Sequence, residues 1–64
     1  MKELWRAVKG NNVCGFTVMR GAVVGAAPMI YTRVMAKAVD AAIDGLERNG
    51  WAVEQVKEEN TQNG

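Results

Sequence analysis

Between positions 30 and 49 the apolar residues follow a helical rhythm. With residues set about 100° apart, Tyr31, Val34, Met35, Ala38, Val39, Ala42, Ile43 and Leu46 share one arc. Arg33, Lys37, Asp40, Asp44, Glu47 and Arg48 fill the opposite arc. The pattern predicts one amphipathic helix over 30–49. Pro28 suits its first turn, where a missing N–H costs nothing, and Asn49-Gly50 supplies the stop.

Elsewhere the period is two. Over 13–19, Cys14, Phe16 and Val18 share a face, which reads as a strand. Arg20-Gly21 marks a tight turn and 22–26 a short return strand. Over 51–57, Trp51 and Val53 point one way and Ala52 and Glu54 the other, with Val56 out of phase. Positions 4–9 read as a strand because Gly10-Asn11-Asn12 and a clear strand follow; the alternative is one helical turn, since Leu4, Trp5 and Val8 also sit at helical spacing. The fold class is α+β: a small antiparallel sheet of three or four strands with one helix on a face, ordered β-β-β-α-β or β-β-α-β. Trp5, Phe16, Val18, Tyr31, Val34, Met35, Val39, Ile43, Leu46, Trp51 and Val53 are the expected core. Residues 1–57 make a single domain, and 58–64, all Glu, Asn, Thr, Gln and Gly, are expected to form a disordered polar tail.

A chain of 64 residues is too short for a second domain and is marginally stable alone. Its single cysteine, Cys14, cannot form an internal disulfide, and with no histidine there is no zinc ligand set. Oligomerisation or partner binding is then the remaining aid to stability. The first residues lack the apolar core of a signal peptide, and the least polar run, 21–31, is too short for a bilayer. No membrane association and a reducing cytoplasm are the expectation.

The net charge of +1 conceals a polarity: six cations face one carboxylate through position 37, and two face six afterwards. Without histidine the commonest proton shuttle is missing, and the carboxylates fall on the helix exterior and tail, where nothing desolvates them. Cys14, on an apolar strand face without a basic neighbour, reads as a buried thiol rather than a nucleophile. The glycines match neither phosphate-loop spacing. The expectation is therefore no enzyme, no cofactor and no metal.

Three features point to binding. Arg6, Lys9, Arg20, Arg33 and Lys37 would form a basic patch if strand ends and helix start converge, which keeps direct nucleic-acid binding as the runner-up. In a single helix over 30–49, cations would precede anions, against the macrodipole, so Arg20, Arg33, Lys37, Asp40, Asp44 and Glu47 form the candidate interaction surface. Ala38, Ala41, Ala42 and Gly45 make a strip of small residues suited to close backbone approach, by the chain's own sheet or by a second copy in a homodimer.

The run Asn12-Val13-Cys14-Gly15-Phe16-Thr17-Val18, then Arg20-Gly21-Ala22-Val23-Val24, then Ala26-Ala27-Pro28-Met29-Ile30 resembles small uncharacterised accessory proteins of bacteriophages and mobile elements. Those pair a Cys-Gly strand with a Gly-x-Val-Val return strand and an Ala-Ala-Pro-Ile lead-in to a helix. The likeness spans 4–56 and departs at Phe16, where a second glycine is often seen, and in a longer helix richer in alanine. The resemblance implies an accessory protein acting stoichiometrically, one that blocks, recruits or redirects a host protein, including anti-defence action on a complex such as a CRISPR effector. It carries over no site residues. The function read from the sequence is a non-enzymatic protein that binds and inhibits or modulates a host macromolecule. The alternatives are a nucleic-acid-binding module or a homo-oligomeric structural protein.

Overall fold

Two tight turns fold the first half of the chain into a meander. The computed structural model describes residues 2–56. Strand β1 (Lys2–Lys9) returns through Gly10-Asn11 into β2 (Asn12–Met19), and β2 returns through Arg20-Gly21 into β3 (Ala22–Ala26). Arg20 and Gly21 both take positive φ, 54° and 79°. That is the signature of a type I′ turn, whose twist matches the flanking strands. Residues 4–9 are thus strand, not a helical turn. After the helical segment, β4 (Ala52–Val56) pairs with the outer side of β1, giving the all-antiparallel order β3-β2-β1-β4.

The register decides what each sheet face carries. Trp5 pairs with Phe16, and Ala7 with both Cys14 and Val53, under the helices. A bulge at Thr17/Val18 sets Val23 opposite Val18 and turns Val24 outward. Ile30, Val34, Ala42 and Leu46 close the core from above at 0% exposure, with Trp51 at its margin. Trp5 lies half-buried with its ring stacked on Phe16, centroids 6.1 Å apart.

The expected single helix over 30–49 is two helices. Helix α1 (Pro28–Val34) stops at Met35, and α2 (Val39–Arg48) restarts four residues later. Met35 is extended (φ −60°, ψ 132°), Ala36 takes φ 67°, and the Lys37 N–H donates to the Val34 carbonyl at 3.1 Å: a type II turn with alanine where glycine is favoured. The cause lies in the sheet. The outer edge of β3 presents backbone groups that need partners. The segment 36–39 supplies them: Ala36 N–H to Val23 O (3.0 Å), Val23 N–H to Lys37 O (2.9 Å) and Val39 N–H to Gly21 O (2.8 Å). Each such bond contributes about 1 kcal/mol net, against 1–2 kcal/mol for a left-handed alanine. A straight 20-residue helix, roughly 30 Å long, would also overhang strands of about 26 Å or less.

The break rotates the apolar arc. In α1, Ile30 and Val34 point inward, so Tyr31, expected in the core, is 47% exposed. Phe16, Val18, Val34, Leu46 and Trp51 are buried as expected; Trp5, Met35, Val39, Ile43 and Val53 are half-buried against them. Cys14 is buried with its thiol free. The polar tail expected at 58–64 lies outside the described residues, among which no helix is long and apolar enough to cross a membrane.

Candidate functional site

The six residues of the expected interaction surface are all exposed, but the fold separates them. Arg20 sits in the β2–β3 turn, beside the start of α2, where the Val39 N–H meets the Gly21 carbonyl. Asp40, Asp44 and Glu47 run along the outside of α2, and Asp44 Oδ2 lies 2.9 Å from Arg48 Nε. Arg33, in the last turn of α1, and Lys37, in the break, line a common groove of about 480 Å³ with Thr32, Ala41, Gly45 and Asn49.

Splitting the helix overturns the argument from the macrodipole. Asp40 now stands in the first turn of α2 and Arg48 in its last, while Arg33 ends α1. Each charge suits its own helix end. The order that looked unfavourable over one long helix is favourable at these three positions over two short ones, and only Glu47, in the last turn of α2, still opposes the dipole.

The basic patch forms in part. Arg33 lines a second depression, of about 670 Å³, together with Lys9, Asn11, Asn12, Met29 and Trp51. Lys9, Arg33 and Lys37 therefore line one strip running from the β1–β2 turn to the helix break. Among the described residues no carboxylate lines either hollow. Arg20 is at the wrong hairpin, and Arg6 lies on the far face of the sheet in an ion pair with Glu54.

The strip of small residues divides as well. Ala42 is enclosed in the chain's own core and cannot meet a second copy; Ala38 and Ala41 are exposed and Gly45 half-buried. A Cβ at Gly45 would find nothing within 4 Å, so no close approach of the sheet accounts for it. Gly45→Ala is expected to stabilise the fold by about 1 kcal/mol, a rise in Tm of about 4–8 °C by scanning calorimetry.

A second surface went unrecognised in the sequence: the face of the sheet turned away from the helices. Leu4, Arg6 and Val8 of β1 pair there with Thr17, Gly15 and Val13 of β2. Val13 is 64%, Val24 47% and Met19 39% exposed. Gly15 floors a shallow depression of about 310 Å³ bordered by Leu4, Arg6, Val13, Thr17 and Val56. The signals were in the chain: Val56 is out of phase with its buried neighbours, and Val13 and Met19 alternate with the core set.

Among the described residues no three His, Cys, Asp or Glu side chains cluster closely enough to hold a metal ion. No protein-family model matches the chain, and no curated protein and no solved structure matches it either.

Proposed function

We propose that this chain is a non-catalytic binding protein that attaches to a macromolecule of its host and modulates it through the polar side of its helical layer. The observation that carries the reading is the strip Lys9, Arg33 and Lys37, three cations lining two adjoining hollows that, among the described residues, no carboxylate lines. Such a strip suits an acidic counter-surface, and complementary charge steers association and selects partners more than it adds raw affinity. Asp40 and Glu47 on the neighbouring helix give the surface both signs, which discriminates against a uniformly acidic partner. The resemblance of the strand motifs to those of phage accessory proteins is what suggests a host protein complex as the target and an inhibitory, anti-defence role.

The test is capture from host lysate with the tagged chain, comparing wild type with the Arg33→Glu, Lys37→Glu double variant. Both side chains are exposed, so the variant is expected to stay folded, with its Tm lowered by a few degrees through the anion now ending α1, and to lose the captured partner. Equal capture by both proteins counts against this surface.

Nucleic acid is the second reading, favoured by the same three cations. Three phosphate contacts give a salt slope near −2.7, so duplex binding should weaken roughly 40-fold between about 50 and 200 mM salt. A gel shift at the two concentrations measures this directly. Binding with that slope, abolished by the double charge reversal, would move nucleic acid ahead of protein.

A further inference from the structure

We propose that the uncovered face of the sheet is where two copies of this chain pair, sheet against sheet, about a twofold axis running along the strands between β1 and β2. The first argument is Gly15. It sits mid-strand, where glycine weakens a sheet, yet its φ is not positive and a Cβ would meet only the Trp5 carbonyl oxygen at an ordinary 3.6 Å. Nothing within the chain requires the missing side chain, so the space it leaves serves something outside.

The register says what that is. An axis along the strands between β1 and β2 carries each β1 residue onto its cross-strand neighbour in the other copy. Arg6 then faces Gly15, Val8 faces Val13, and Leu4 faces Thr17, each contact occurring twice. The largest of these side chains meets the empty position, and its aliphatic stem fills the depression. The guanidinium stays with Glu54 on its own β4, toward the rim, so the pair is not stranded between the sheets. Among the described residues the only charges on the face are that pair and Lys2; the axis sets the two Lys2 residues at the same end, where their long stems let the ammonium groups reach solvent.

Area and the rest of the chain agree. Four strands at about 4.8 Å spacing and 3.3 Å rise present roughly 400 Å² of flat sheet per copy, before side-chain relief. Two copies thus bury about 800 Å² plus whatever that relief adds, the size of a weak, reversible pair rather than of a permanent dimer. Residues 57–64 are Lys, Glu, Glu, Asn, Thr, Gln, Asn and Gly, with no large apolar side chain to cover the face from within. Pairing would stack two sheets about 10 Å apart and leave both helical layers facing outward. The surface of the proposed function would then be presented twice.

Sedimentation of the full chain tests this, with masses read from about 1 μM to 1 mM. The expected result is a rise from 7.0 kDa toward twice that value. Gly15→Val fills the depression; it is expected to keep or raise the Tm while the protein stays monomeric across the range. Val13→Asp, at a position already 64% exposed, should leave the monomer folded and likewise abolish pairing. The Arg33→Glu, Lys37→Glu variant should pair like wild type, which separates this inference from the binding function. A wild-type mass that stays at 7.0 kDa across the range overturns the proposal. A dimer that survives both Gly15→Val and Val13→Asp overturns it equally, since the contact must then lie elsewhere.

Discussion

Replacing Leu46 by alanine is expected to remove about half of the stability of this domain. Leu46 is wholly buried, reaching from α2 into the layer shared with the sheet. Truncating such a leucine costs 2–5 kcal/mol, from lost transfer energy plus the cavity left behind. At roughly 0.05–0.15 kcal/mol per residue, 64 residues hold about 3–10 kcal/mol in all. The variant should therefore stay folded with about half of that stability gone, and its urea midpoint should fall in proportion. Urea titration followed by tryptophan fluorescence measures the loss, because Trp51 is buried and Trp5 half-buried in the native state. Tyr31→Ala is the control. In one continuous helix Tyr31 would be core; here it is half exposed, and its loss should cost well under half as much as that of Leu46. Equal costs would contradict the packing described above.

The second large effect is expected at Ala36, where opposite substitutions act in opposite directions. Ala36→Pro should cost 3 kcal/mol or more. Proline holds φ near −65° and has no N–H, whereas Ala36 needs φ 67° and donates to the Val23 carbonyl at 3.0 Å. Ala36→Gly should stabilise by up to about 1 kcal/mol: relief of 1–2 kcal/mol of left-handed strain, partly offset by the greater entropy of the unfolded chain. In an unbroken helix the glycine variant would instead lose about 1 kcal/mol. The sign of that change, read from the urea midpoint at constant slope, discriminates between one helix and two.

Residues 35–38 show why the break was illegible. Met, Ala, Lys and Ala all favour helix, and Met35 and Ala38 continue the apolar arc without a gap. Local preference was overruled by Val23 and Gly21, more than a dozen positions upstream, whose backbone groups needed partners. The same event reversed the meaning of Asp40, from an anion misplaced in mid-helix to one favourably set in a first turn. It also moved Tyr31 out of the core. The candidate surface suffered from the same cause: Arg33 shares one hollow with Lys37 and another with Lys9 only because α1 is short and runs beside the β1–β2 turn.

The turns were legible, because Arg20-Gly21 and Asn49-Gly50 each place glycine where positive φ is needed, 79° and 91° in the fold. So were the strand faces of β2 and the inward side of α2, since alternation and helical spacing are properties of neighbouring residues alone. The sequence by itself therefore determined which side of each element is apolar and where the chain turns. Tertiary structure decided where the helix ends and which cations meet. It also left one sheet face without a cover: a single helical layer conceals only one side, and an edge strand takes its hydrogen-bond partners from wherever the chain can bring them.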